Sequence, residues 1–244
     1  MTYELDHGMA RRLGLVVLST DETLEVEARQ TLQGRDVGLY HTRIYSAPSV
    51  TPQSLMDMQA RVAASVSLLP DTVEAIGYGC TSASVLIGPD AVTEQVHAVR
   101  PGLPVTNPIS GVLAGLQALS AKRIIMITPY TSQVASPMRQ FLEARGIAVV
   151  HETSFGEEID PNVARISEAS TKTAILEALQ THKADAVFAS CTNLRTYGII
   201  DALEAETGVP VISSNQALLW HLLMISGIDA AGWGPGQLFK EKLT

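Results

Sequence analysis

The sequence predicts an α/β fold in two similar halves, each built around a parallel sheet. Short apolar runs rich in β-branched residues alternate with stretches of helical periodicity along the whole chain. The same order of elements then recurs about 111 residues later. We therefore expect two pseudo-symmetric, Rossmann-like α/β domains that face each other across a cleft, with the active site in that cleft.

Six runs have the composition of buried parallel strands, being short, apolar and rich in Val and Ile. They lie at 13–20, 73–79 and 102–108 in the first half and at 123–130, 185–190 and 208–214 in the second. Predicted helices lie between them, at 52–69, 91–99, 110–119, 133–145, 172–182 and 197–206. Because strand and helix alternate, the sheets are predicted to be parallel.

The repeat is visible at single residues. Arg12, at the start of the first strand, and Arg123, at the start of its counterpart, are 111 residues apart, and so are Cys80 and Cys191. Each cysteine is followed by threonine, a helix and a Gly-x-Pro-Val strand. The predicted domains are residues 12–118 together with the C-terminal segment 218–244, and residues 119–217.

The composition is that of a globular protein, since 46% of the 244 residues are apolar and 17% are charged. The net charge of −8 argues against a nucleic-acid partner, because phosphate backbones are bound by clustered Lys and Arg. No apolar run approaches the length of a membrane span, and the N-terminal residues lack the apolar core of a signal peptide. We expect a cytoplasmic protein with reduced thiols and no membrane partner.

The two cysteines are the strongest candidates for catalysis. In parallel sheets, ligands bind beyond the carboxyl ends of the strands, where Cys80 and Cys191 are both predicted to lie. A helix that begins beside each cysteine would lower its thiol pKa towards neutrality. The helix N–H groups could then hold a substrate carboxylate, together with three nearby hydroxyls, those of Thr81, Ser82 and Thr192. The alternative is that both are core cysteines, since free cysteine is among the most buried residue types.

The chain resembles the aspartate/glutamate racemase superfamily, in the branch of maleate cis–trans isomerase, arylmalonate decarboxylase and the ectoine-utilisation isomerase-like proteins, the last being the most similar. Five segments that span nearly the whole chain carry the resemblance: GLVVLSTDETLE (14–25), GYGCTSASVLIG (77–88), ITPYT (127–131), ASCTNLR (189–195) and PVISSNQA (210–217).

The resemblance implies roles for individual residues. Cys80 and Cys191 would be the catalytic pair, and Tyr130 would bind a substrate carboxylate through its hydroxyl. Thr20, Thr131 and Asn193 lie in the matching segments and are also expected to bind substrate. The resemblance further implies that the enzyme needs no cofactor or metal and is a homo-oligomer, a dimer or a tetramer.

Two positions depart from the maleate isomerase pattern. Where that enzyme has Ser-Ser-Asn after its first strand, this chain has Ser-Thr-Asp, ending at Asp21. A second substrate-binding asparagine falls on Asp160, with Asn162 nearby as the alternative. A carboxylate at these positions disfavours a dicarboxylate substrate and suits one that carries an amine, or else it assists a cysteine. The plainer interpretation of Asp21 is that it caps a helix beginning at Glu22.

The predicted function is a cofactor-independent isomerase or racemase of a small carboxylate, amino-acid-like and related to the ectoine pathway. Either one cysteine removes a proton and the other returns it to the opposite face, or a thiolate adds to a C=C bond before rotation and elimination. Both cysteines are retained, which argues against a decarboxylase, because the resembling decarboxylase has one. The alternatives are a maleate isomerase proper and a non-catalytic protein that binds organic acids.

Overall fold

The computed structural model describes residues 1–6 and 8–243. Within them the chain forms two four-stranded parallel sheets with the same topology, ordered β2-β1-β3-β4 and β6-β5-β7-β8. The strands are β1 (Arg11–Leu18), β2 (Val37–Ile44), β3 (Ala75–Gly79), β4 (Val105–Thr106), β5 (Arg123–Tyr130), β6 (Ala148–Glu157), β7 (Ala186–Ala189) and β8 (Val211–Ser213).

Helices connect the strands. They are α1 (Leu24–Thr31), α2 (Pro52–Met56), α3 (Val62–Val66), α4 (Thr81–Ile87), α5 (Pro89–His97), α6 (Pro108–Ala118), α7 (Ser132–Glu143), α8 (Asp160–Val163), α9 (Glu168–Thr181), α10 (Ile200–Thr207) and α11 (Ser214–Ile225). Short 3-10 turns lie at Gln59–Arg61, Tyr197–Ile199 and Leu238–Lys240. None of the helices in the described residues is both long enough and apolar enough to cross a membrane.

The predicted α/β class and the two-fold repeat are confirmed, and so are all six predicted strands. Two further strands, β2 and β6, were missed because polar and charged residues interrupt their apolar pattern, as edge strands allow. The helix predicted over 52–69 is wrong as a single element: it is divided into α2, a 3-10 turn and α3. The domain boundaries at 118 and 218 stay a prediction.

Helix α11 joins the two halves of the molecule. It begins directly after β8 of the second sheet, where Ser213 accepts the Gln216 N–H in a capping box. Its side chains then pack on the first half, since Leu218 lies in a buried cluster with Leu15, Val17 and Leu24. The strand ends that carry Cys80, after β3, and Cys191, after β7, are called the cysteine corners. Both corners are therefore held by one helix.

A buried carboxyl group lies between α1 and α11. Glu27 is buried and its Oε2 atom accepts a hydrogen bond from Asn215 Nδ2 at 2.6 Å. Burial raises the pKa of Glu27 from 4.5 to about 8, although the bond from Asn215 lowers it. Glu27 is therefore mostly protonated at neutral pH in the folded protein.

We expect Gly111→Ala to destabilise the fold, because a Cβ there would collide with the Ala217 carbonyl where α6 crosses α11. Overpacking of this kind costs about 1–3 kcal/mol of the free energy of unfolding. Urea unfolding measures it, with the exposed Gln117→Ala on the same helix as the control. Equal stability of the two variants would contradict the close helix contact.

The effect of Glu27→Gln on stability is expected to become more favourable as the pH rises. The folded-state pKa of Glu27 is raised, so its stabilising protonation is fully present below pH 4.5 and is lost as the pH rises through about 8. Glutamine keeps an acceptor for Asn215 and cannot ionise. The Tm difference between variant and parent should grow from pH 5 to pH 9. The exposed Glu22→Gln serves as control and should show no such trend.

Candidate active site

The two cysteines lie at equivalent ends of central strands. Cys80 directly follows β3, and Cys191 follows β7 after Ser190. Both are free thiols, and each is only 5% exposed. They belong to one buried cluster that also contains Tyr130, which is the last residue of β5. The pseudo-symmetric topology therefore brings both thiols into the space between the sheets.

Cys80 occupies the N-cap position of α4. The backbone N–H groups of Ala83 and Ser82 face its sulfur and lower its pKa, as predicted for a helix N-terminus. Burial outweighs them, and the carboxylates of Asp160 and Asp21 act in the same direction as burial, so the pKa of Cys80 rises to about 12. The expectation that this thiol has a lowered pKa is therefore wrong for the closed site.

Cys191 lies in a different environment from Cys80. No helix begins beside it, contrary to expectation, because the next helical turn starts only at Tyr197. Its φ of 116° lies in the left-handed region, which is strained for a residue with a side chain. Its Sγ atom is 3.1 Å from Tyr130 Oη and accepts the Asn193 N–H at 3.3 Å. Burial raises the pKa of the Cys191 thiol well above its usual value.

The carboxylate of Asp160 connects the polar groups of the site. Tyr130 donates its hydroxyl to Oδ1 at 2.7 Å, and Thr20 donates its hydroxyl to Oδ2 at 2.6 Å. Asn193 Nδ2 donates to the Asp160 carbonyl at 3.0 Å and to Oδ2 at 3.3 Å. Asp160 is 3% exposed and lines the cavity beside Cys80, whereas Asn162 is exposed. Between the two candidates, the structure thus places Asp160 at the site.

Asp21 has two distinct oxygen atoms. Oδ1 accepts the N–H groups of Thr23 and Leu24 at 2.9 and 2.8 Å and so caps the first N–H of α1. The expected N-cap position is wrong, because α1 begins at Leu24, not Glu22, and its N-cap residue is Thr23. Oδ2 is buried and accepts no hydrogen bond of normal geometry from the described residues. Burial raises the pKa of Asp21 to about 6, although the two N–H groups and the nearby Thr192 side chain lower it. Asp21 does not line the cavity.

The cavity between the cysteine corners is small in this structure. Its volume of about 20 Å³ holds roughly one water molecule. The segment 46–58 covers it and is hydrogen-bonded across the cleft, where Asp160 N–H donates to the Pro48 carbonyl at 2.8 Å. The lining contains one acidic residue, Asp160, and no Lys, Arg or His. The lining residues are Leu18, Thr20, Ser46, Ala47, Val50, Ser54, Leu55, Met58, Cys80, Tyr130 and Asp160. In the described residues, no cluster of His, Cys, Asp and Glu is suited to hold a metal ion.

The remaining predicted residues divide into three groups. Ser82 Oγ is buried, has no hydrogen-bond partner among the described residues and does not line the cavity. Thr81 and Thr192 are buried and bond within the protein, to Ser214 Oγ at 2.8 Å and to the Gly79 carbonyl at 3.5 Å. Thr131 precedes α7, makes no capping bond and does not line the cavity.

Sequence reasoning missed three residues around the site. Ser46 bonds Thr20 Oγ1 at 2.9 Å and lines the cavity, but it follows β2, the strand that was not predicted. Ser214 and Asn215 lie in the quoted segment 210–217, where two consecutive polar residues after a buried strand were the available signal.

Comparisons with known proteins identify the family of the chain. The arylmalonate decarboxylase family model matches residues 13–239. The maleate isomerase of Nocardia farcinica is 28% identical over 243 residues, covering 95% of this chain and 96% of that protein. The arylmalonate decarboxylase of Bordetella bronchiseptica is 32% identical over 142 residues, covering 57% of this chain and 59% of that protein.

Solved structures show the same fold. A maleate cis-trans isomerase variant from Nocardia farcinica, with a covalently bound succinylcysteine intermediate, has a TM-score of 0.85 at 26% identity, covering 94% of this chain and 98% of that one. The maleate isomerase Iso of Pseudomonas putida S16 has a TM-score of 0.86 at 24% identity over 94% of this chain and 98% of that one, a likeness of fold. From the family match over nearly its whole length, the chain belongs to the arylmalonate decarboxylase family.

Proposed function

We propose that the protein is a cofactor-independent isomerase or racemase of a small carboxylate, with Cys80 and Cys191 as its catalytic pair. The observation that carries this proposal is that two buried thiols, from equivalent strand ends, lie in one buried cluster with Tyr130. Cys80 and Tyr130 line the cavity, and Cys191 contacts it through the Tyr130 hydroxyl. The covalent succinylcysteine in the N. farcinica isomerase supports cysteine chemistry in this fold. The expected cytoplasmic location, homo-oligomeric state and ectoine-pathway role stay predictions.

The two thiols have different tasks because their hydrogen-bond partners differ. Tyr130 donates its hydroxyl proton to Asp160, so its oxygen accepts the S–H of Cys191. Cys191 is therefore held as a thiol, ready to give a proton. Two backbone N–H groups face the Cys80 sulfur, and although burial outweighs them and raises its pKa, they would stabilise the thiolate once its proton is removed. We assign Cys80 as the base or nucleophile and Cys191 as the acid.

Cys80 needs a base that takes its proton when substrate enters. The oxygens of Asp160 are occupied by hydroxyl and amide donors, whereas Asp21 Oδ2 accepts no hydrogen bond of normal geometry from the described residues and has only the Thr192 side chain nearby. The raised pKa of Asp21, about 6, lies near the operating range of a neutral-pH base. Asp21 thus assists Cys80, while its other oxygen caps α1.

Two reactions fit this arrangement. In the first, the Cys80 thiolate removes a proton from the carbon beside a carboxylate, and Cys191 delivers its proton to the opposite face. In the second, the thiolate forms a C–S bond at one alkene carbon while Cys191 protonates the other. The adduct then rotates, Cys191 recovers the proton, and the C–S bond breaks to leave the trans alkene.

The charge of the site favours a substrate with one carboxylate and a hydrogen-bond donor, such as an amino acid. The cavity contains the carboxylate of Asp160 and no cationic side chain. A substrate dianion would place a second negative charge close to Asp160 in a poorly solvated space. An ammonium or amide N–H would instead bind it.

A decarboxylase is the second candidate, favoured by the 32% identity to the B. bronchiseptica enzyme. The fold and one cysteine suffice for that reaction, in which Cys191 would protonate the carbanion left after CO₂ departs. Release of CO₂ from a substituted malonate, without exchange of protons on amino acids, would support it over the isomerase.

Cys80→Ala and Cys191→Ala should each abolish turnover and leave the fold intact, because each removes one half of the proton transfer. Turnover is measured by incubating each variant with a panel of amino and dicarboxylic acids in D₂O. NMR then reports deuterium uptake and the conversion of maleate to fumarate. With an unsaturated acid, a mass adduct that persists in Cys191→Ala and vanishes in Cys80→Ala identifies the addition route. Full activity in either variant would contradict the pair.

Asp160→Asn should shift substrate preference from amine-bearing acids towards dicarboxylates such as maleate by at least about tenfold in the kcat/KM ratio, or 1.4 kcal/mol. Asparagine keeps an acceptor for Tyr130 and removes the charge. Asp21→Asn is the matched variant: it preserves the cap but should shift the ratio less, since Asp21 does not line the cavity. Equal ratios in parent and Asp160→Asn would remove Asp160 as a specificity determinant.

A further inference from the structure

One hydroxyl group bonds residues of both cysteine corners. Ser214, the first residue of α11, is fully buried. Its Oγ atom accepts the Cys191 N–H at 2.9 Å and the Thr81 hydroxyl at 2.8 Å. Thr81 follows Cys80 on the first half of the molecule, while Cys191 belongs to the second. The distance between the two corners is therefore fixed through a single oxygen.

The next residue strengthens the same connection. Asn215 Nδ2 donates to the Thr192 carbonyl at 2.7 Å, directly after Cys191, and to the Glu27 carboxyl at 2.6 Å. These bonds tie the Cys191 corner to α1 as well as to α4. All the groups involved are buried, so water does not compete for them.

The backbone of Cys191 needs such support. Its positive φ is shared by only one other non-glycine residue in the described chain, Ser120. Strained conformations persist where the surroundings hold them in place. The bond from Cys191 N–H to Ser214 is one such constraint, and the strained conformation aims Sγ at Tyr130.

Ser214 is not needed to start its helix. The capping box of α11 is formed by the preceding residue, Ser213, with Gln216. Two adjacent buried serines therefore have separate tasks, one that caps the helix and one that contacts both corners.

We propose that Ser214 is a positioning residue, which aligns the Cys191 thiol with the Cys80 corner across the cleft. This inference rests on the proposed function, since alignment matters only if both thiols act on one substrate. Loss of the hydroxyl frees the Cys191 backbone to relax, and small displacements of a reacting group are costly.

The test compares Ser214→Ala with Ser213→Ala. For Ser214→Ala we expect kcat to fall by about ten- to hundredfold with KM changed less than threefold, because substrate contacts remain. Ser213→Ala should lower Tm through the lost cap and keep kcat within about twofold. If kcat is unchanged in Ser214→Ala, or falls equally in both variants, the proposal is overturned.

A second measurement does not depend on turnover. Iodoacetamide labelling, mapped by peptide mass spectrometry, reports the accessibility of each cysteine. Cys191 should be alkylated at least about fivefold faster in Ser214→Ala than in Ser213→Ala or the parent. Faster labelling in a protein that turns over no substrate would uphold the constraint that Ser214 places on Cys191, while rejecting the proposed function and with it the catalytic purpose of that constraint. Equal labelling in all three would reject the positioning role.

Discussion

The burial of one carboxylate, that of Asp160, is the constraint on which the closed site depends. A carboxylate removed from water needs donors at both oxygens, or it destabilises the fold. Here the donors come from both halves of the molecule: Thr20 after β1, and Tyr130 and Asn193 on the second sheet side. The same donors place the Tyr130 hydroxyl beside Cys191 and keep the cavity narrow. The hydrogen bonds that stabilise the buried Asp160 carboxylate are therefore the same ones that shape the site.

The duplicated architecture produces two corners that are equivalent in topology and unlike in chemistry. Cys80 lies at a helix N-terminus beside two backbone donors, whereas Cys191 lies on a strained turn beside one backbone donor and the Tyr130 hydroxyl. Under the proposed function, this asymmetry is what would let two identical side chains act as base and acid on opposite faces of one substrate. Helix α11, which starts on one sheet and packs on the other, holds the two environments in fixed relation.

Most of the architecture could be predicted from local pattern, because central strands are continuous apolar runs and the repeat spacing is regular. The edge strands β2 and β6 were not predicted, because one side of each is solvated and polar residues interrupt their apolar pattern. Ser46 escaped with β2. Ser214 was missed for another reason. The local sequence does not distinguish Ser213, which caps α11, from Ser214, which bonds the distant Cys191 backbone.

By itself, the sequence determined that two cysteines stand at the carboxyl ends of equivalent strands, because strand composition and repeat spacing are properties of the chain alone. The family resemblance of the sequence also pointed to Asp21, and to either Asp160 or Asn162, as substrate-binding positions. The tertiary structure decided what these groups can do. Burial raises the pKa of both thiols, although nearby N–H groups lower it. Of the two Asp21 oxygens, Oδ1 accepts the Leu24 N–H, whereas Oδ2 accepts no hydrogen bond of normal geometry from the described residues. Solvation and hydrogen-bond partners arise from distant segments, so only the folded chain specifies them.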